Sequence, residues 1–242
     1  MLQVFSKEFS TFLNSLIAYV VIGVFLMAMG LLMWVFPETS VLEYGYADME
    51  TLFTLGPYVF IFLVPAVTMR SFAEEKKAGT LELLFTKPLT DWDIILGKFL
   101  ASFLLVLFAL IPTLIYYYSI YTLGNPVGNL DTPGIIGSYI GLAMLAAAFS
   151  ALGVLASAIA GNQIVAFITA AFLSFFLFSG FDAISTLGFW SARGLQIKQL
   201  GMLFHYESMS RGLIDSRDVI YFVSVIFITL STTKLILSSR QW

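Results

Sequence analysis

The chain of 242 residues is 59% hydrophobic and only 11% charged, with 24 Phe and a mean hydropathy of +0.92, whereas soluble domains carry roughly 25% charged residues. This excludes a water-soluble globule and makes the membrane span, rather than the domain, the unit of counting. A formal net charge of −3 offers nucleic acid no basic surface, and zero cysteines remove disulfides, thiol nucleophiles and thiolate metal ligands.

Six apolar runs are long enough to cross a bilayer, at about residues 17–36, 51–69, 94–121, 135–160, 164–180 and 219–237. The expected fold class is therefore all-α, a polytopic bundle forming a single transmembrane domain over 1–242. Ahead of the first run, Leu2, Phe5, Phe9, Phe12 and Leu16 recur at three- and four-residue spacing. That pattern predicts an amphipathic helix over 1–16 lying along the membrane surface, in preference to a frayed start of span 1. The run that follows is too long for a signal peptide, and no small-residue cleavage site closes it.

Pro57 and Pro65 fall in the second run and Pro112 in the third, where membrane helices tolerate them as kinks. Tyr116, Tyr117, Tyr118 and Tyr121 end the third run and read as an interfacial aromatic belt in preference to the lining of a substrate path. The fourth run is dense in small residues, with Gly137 and Gly141 in a G-x-x-x-G pair and Ala143, Ala147 and Ala151 continuing every four. Such a surface admits a close helix neighbour, so this span should be buried in the bundle. Gly161, Asn162 and Gln163 turn it tightly into the fifth run. In the loop 181–218, the stretches 184–190 and 195–204 are apolar but too short to span, the length class of re-entrant or interfacial helices.

Sidedness follows from the basic residues. Lys7, Arg70, Lys76, Lys77, Lys87, Lys98, Lys234 and Arg240 fall on one face, against Arg193, Lys198, Arg211 and Arg217 on the other. The positive-inside rule then places both ends of the chain and the segment 70–93 in the cytoplasm, with the loop 181–218 outside. The loops 37–50 and 122–134 carry acids and no Lys or Arg, in agreement.

No Asp, Glu, His or Arg lies in the interior of a run, and Lys98 and Lys234 stand near enough to span ends to snorkel. An ion-coupled carrier needs intramembrane ionisable groups, so a self-powered carrier is disfavoured. His205 is the only histidine, and Ser179-Gly180 lacks the flanking glycine of a nucleophile turn. No catalytic or metal site is assigned, and His205 reads as a surface contact. No G-x-x-x-x-G-K-[ST] loop is present, so nucleotide chemistry would need a partner.

The segment 70–93 is the most polar stretch between two spans. Ser71 to Glu74 has the form of a capping box, Glu74 and Lys77 are spaced to pair, and Leu81, Leu84 and Phe85 make a short apolar ridge. Gly79 marks a break, Thr86, Lys87 and Pro88 stop the ridge, and Thr90 to Asp93 offers a second capping box beside Trp92. A short helix with a charged front, held between two spans, suits docking into a cleft of a soluble partner; the plainer alternative is a solvated charged loop.

The run Glu74-Glu75-Lys76-Lys77-Ala78-Gly79-Thr80-Leu81-Glu82-Leu83-Leu84, with Pro88 and Gly97-Lys98 beyond it, resembles the cytoplasmic signature of ABC-2 type transporter permeases. His205-Tyr206-Glu207-Ser208, Arg211-Gly212-Leu213-Ile214-Asp215 and Asp218-Val219 are similar to the gliding-motility-associated subgroup and, more distantly, to nitrous-oxide-reductase maturation permeases. The resemblance implies a permease of the bacterial cytoplasmic membrane, with the segment between spans 2 and 3 as its coupling helix. Glu74, Glu75, Lys77, Gly79, Thr80, Glu82 and Pro88 would meet cytoplasmic ABC ATPase subunits, which bind the ATP and Mg; this chain itself would hold no cofactor. It implies a second copy of this chain or a homologous permease, and a companion subunit with an extracytoplasmic domain. His205, Tyr206, Glu207, Arg211 and Asp215 would then form an outer gate or partner dock, and membrane lipid would surround the spans. Lys76 stands where the family often has Arg, so no bidentate contact is expected there. The implied function is ATP-driven export or motility, with a mechanical scaffold that moves no solute as the alternative.

Overall fold

The computed structural model describes residues 1–43, 45, 47–81, 88–187, 194–212 and 214–239. Every regular element among them is helical. Among the described residues, five helical stretches are long and apolar enough to cross a membrane, namely Glu50–Lys77, Asp91–Leu123, Thr132–Ile159, Gln163–Ser185 and Ser216–Ser238. A bent pair at the start of the chain, with 65° between its halves, raises the number to six if it counts as one span. The chain is a multi-pass, all-α membrane protein.

The bent pair comprises α1 (Leu2–Leu13) and α2 (Leu16–Trp34). α3 (Glu50–Thr68) leads into the five-residue α4 (Ala73–Lys77). α5 (Asp91–Leu110) passes through a 3-10 turn at Ile111–Thr113 into α6 (Leu114–Leu123), the turn coinciding with Pro112. α7 (Thr132–Ile159) and α8 (Gln163–Phe175) form the expected hairpin, with the Asn162 side chain accepting from the Val165 amide at 2.9 Å to start α8. α8 does not stop near residue 180. A π-turn at Phe176–Gly180 carries it into α9 (Phe181–Ser185). The short α10 (Gly194–Lys198) and α11 (Met202–Ser210) follow, and α12 (Ser216–Ser238) is the last span.

α7 is the axle of the bundle. Its apolar window is 78% buried, against 22% for each of the two spans that follow, and α3, α5, α8, α11 and α12 all pack on it. Small residues make this possible. A Cβ on Gly153 would lie 1.9 Å from the Thr68 hydroxyl of α3, and one on Gly137 would lie 2.6 Å from the Met209 carbonyl of α11. The G-x-x-x-G surface does admit a close helix, and that helix is the short α11. Around the axle, Phe25 and Met29 of α2, Phe60 of α3, Phe149 of α7 and Phe222 of α12 close the main core.

α1 packs onto the bundle. A Cβ on Gly97 would sit 2.9 Å from Val4, so α1 crosses directly over the start of α5 with Val4 buried. Gly97 thereby sets the crossing that brings the polar side of α1 against α4.

Candidate functional site

Two clusters of polar side chains join helices, one at each end of α7. At the first, α4 and the end of α7 cap each other. Ser157 Oγ accepts from the Phe72 and Ala73 amides at 2.9 and 3.0 Å and donates to the Met69 carbonyl at 3.1 Å. The Lys76 ammonium donates in return to the Ala158 carbonyl and, at 3.3 Å, to the Ala160 carbonyl. The first amides and last carbonyls of a helix have no partners inside it, and a cation at a helix C-terminus meets the negative end of its dipole. Each helix thus supplies what the other lacks.

This arrangement corrects two sequence expectations. The Ser71 to Glu74 capping box does not form: the helix begins one residue later, with Phe72 at its N-cap and no local side-chain cap. Ser157 outcompetes it because packing places its hydroxyl in reach of two orphan amides at once. Glu74 and Lys77 are both exposed and form no ion pair. Gly79 is the break expected of it. With φ at +67° it takes a conformation that costs glycine little, and the Gly79 and Thr80 amides return to the Lys76 and Glu75 carbonyls, closing α4 with a Schellman motif. The Thr90 to Asp93 box is present in both directions and opens α5.

Beneath α4 lies an ionic cluster. The Lys98 ammonium is 2% exposed and sits 3.0 Å from Glu8 and 2.9 Å from Glu75, with the Phe72 ring centroid 5.1 Å away. Lys7 approaches the same two carboxylates at 3.6 and 3.9 Å. Lys98 therefore does not snorkel. α1 crosses its path at Gly97, and two carboxylates neutralise it inside the fold, where an unpaired charge would cost far more. Glu75 is turned inward by this pairing, whereas Glu74, Lys77, Gly79, Thr80 and Pro88 stay exposed. Glu82 lies outside the described residues, as do Leu84, Phe85, Thr86 and Lys87.

The second cluster holds α11. Pro57 has no amide to give the Phe53 carbonyl, and the Tyr206 hydroxyl donates to that carbonyl at 2.6 Å, the re-satisfaction that lets a membrane helix keep proline. Burial pushes the Tyr206 phenol's pKa up. His205 is not the surface contact expected. Its Nδ1 lies 2.7 Å from Asp218 Oδ1, its Nε2 3.0 Å from the Gln199 carbonyl, and its ring stacks on Tyr221 at 3.9 Å. It ties α11 to α12 because the two helices bring the His205 and Asp218 side chains face to face. Lys198 bridges Asp182 at 3.0 Å and Glu207 at 4.0 Å, and the Asp182 bond holds its pKa above the usual lysine value. Asp215 caps α12, and the bond from the Arg217 amide holds its carboxyl below the usual range. Arg211 is exposed, and no ion pair reaches it among the described residues.

Of the helix-packing positions, Gly137 and Gly141 meet α11, whereas the buried Ala147 packs in the second core cluster beside Ala151 and Phe99. Sequence reasoning missed Ser157 and Glu8 as site residues and met Asp218 only within a family motif, with no partner assigned. Only Glu8 carried a usable signal, as an acid on the polar side of an amphipathic helix.

A family model described as ABC-2 family transporter protein matches residues 2–206. No curated protein matches the chain.

Proposed function

The chain belongs to the ABC-2 family of transporter proteins, and we propose that it is the transmembrane permease subunit that receives the work of a cytoplasmic ABC ATPase through α4. The reciprocal cap between α4 and α7 carries this reading. A five-residue helix is too short to be stable alone, yet this one is fastened at both ends to the most buried span of the bundle. Its exposed face, Glu74, Lys77, Gly79 and Thr80, is left for a partner. α7 has 28 residues and is about 42 Å long, so a push on α4 is delivered to a rod whose far end holds α11.

In this reading ATP and Mg sit on the partner, and the end of the bundle with α1 and α4 faces the cytoplasm of a bacterial cell. A second permease copy and a companion subunit with an extracytoplasmic domain complete the complex. The His205 and Arg211 segments support placement in the gliding-motility-associated subgroup.

The test separates docking from transmission. Glu74→Ala with Lys77→Ala alters the exposed face and should lower the amount of ATPase that co-purifies in mild detergent. Ser157→Ala with Lys76→Met loosens the joint and should leave co-purification intact while lowering stimulation of the ATPase. Full stimulation by the joint variant would overturn the assignment.

A further inference from the structure

A cavity of about 240 Å³ opens beside the ionic cluster, between α1, α2, the end of α3, α4 and α5. Its two ends differ. The mouth is lined by Lys7, Glu8, Arg70, Glu74, Glu75 and Lys98, the floor by Phe12, Val21, Val67 and Leu105. Leu105 stands seven residues beyond Lys98 on α5, so the cavity reaches about 10 Å into the bundle. It joins a polar, interfacial mouth to an apolar interior, the geometry of an amphiphile's head and first carbons.

The charges at the mouth do not cancel atom for atom. Lys7 and Lys98 are taken up by Glu8 and Glu75. Arg70 is left over, its Nε buried without an acceptor, and no ion pair engages it among the described residues. One oxygen of the same cluster, Glu75 Oε2, is buried without a donor. An orphan donor and an orphan acceptor at one cavity are costly unless something meets both. A simple anion serves Arg70 and repels Glu75; a simple cation does the reverse.

We propose that this cavity binds the head group of a phospholipid bearing a primary amine, of the phosphatidylethanolamine class. Its phosphodiester faces Arg70, its ammonium faces Glu75, and its acyl chains start along Phe12 and Val21. Basic pockets between membrane helices hold lipid phosphates in this way. The bound lipid adds a third fastening between α1 and α4, which makes the joint sensitive to the membrane's composition. The site stands independently of any ATPase.

The full chain, purified in mild detergent and stripped of lipid, is titrated with phosphatidylethanolamine, phosphatidylcholine, phosphatidylglycerol or inorganic phosphate while its melting temperature is followed. At about 100-fold its Kd the amine lipid should raise the melting temperature on the order of 5–10 °C. Phosphatidylcholine, which has no N–H to donate, should do much less. Arg70→Gln should lose the shift, and Glu75→Gln should lose the preference for the amine lipid over phosphatidylcholine. Should a variant fail to fold, native mass spectrometry of the unaltered chain decides, since the amine lipid should stay bound above its share of the mixture. Equal effects of the amine and choline lipids would overturn the proposal. So would a larger effect of phosphatidylglycerol, which signals charge alone, or an equal effect of inorganic phosphate, which signals a free anion.

Discussion

Replacing Lys98 with Met tests whether the joint depends on its buried charge. The ammonium is 2% exposed and lies 2.9 and 3.0 Å from two carboxylates. Removing it leaves Glu8 and Glu75 facing each other with only Lys7, itself 64% exposed, to offset them. Breaking a fully buried pair costs about 3–5 kcal/mol. Glu8 and Glu75 retain 15% and 16% exposure, and water relieves part of the repulsion, so about 2–4 kcal/mol is expected here. For a chain of this size that lowers the melting temperature by about 4–16 °C. The triple variant Lys98→Met, Glu8→Gln, Glu75→Gln should recover most of the loss, because a buried ionic cluster gains little over a neutral one of the same shape. The assay is thermal unfolding in nanodiscs, with all variants in one lipid. A Lys98→Met protein as stable as the parent would refute the reasoning, as would a triple variant no better than the single one.

Tyr206→Phe should cost about 1–2 kcal/mol by orphaning the Phe53 carbonyl. Pro57→Ala restores an amide donor to that carbonyl, so in a double-mutant cycle the cost of Tyr206→Phe should shrink in its presence. Gly153→Ala and Gly137→Ala would drive a Cβ to 1.9 Å from Thr68 and 2.6 Å from Met209 and should each destabilise by about 1–3 kcal/mol. Gly23→Ala, with nothing within 4 Å, should be neutral or slightly stabilising in the same unfolding assay. Asp215 has a folded pKa held below its ordinary value by the Arg217 amide, so its cap is complete above the usual carboxylate range and is lost as pH falls through the folded value. Corrected for the intrinsic exchange rate at each pH, the protection of amides at the start of α12 should therefore fall on acidification in the parent, and Asp215→Asn should remove that pH dependence.

What could be read without coordinates was whatever a residue does with neighbours one turn away or with the bilayer as a whole. Run length gave the spans, because a helix must be about 20 apolar residues long to cross. The small residues of α7 gave its burial, since no other surface lets backbones come so near. The Thr90 to Asp93 box and the positive φ at Gly79 are likewise local, set by i to i+3 bonds and by the lack of a Cβ. Tertiary structure decided which of these local offers was taken. Ser71 lost the cap of α4 to Ser157, 85 residues from Phe72, and Lys98 lost its path to water when α1 crossed over Gly97. His205 and Tyr206 were visible as a segment but not as clasps, because their partners, Asp218 and Phe53, lie on other helices. Spacing along a chain specifies partners within a helix. Partners between helices depend on how closely the axes approach and where they cross, and in this protein three glycines, Gly97, Gly137 and Gly153, set those distances.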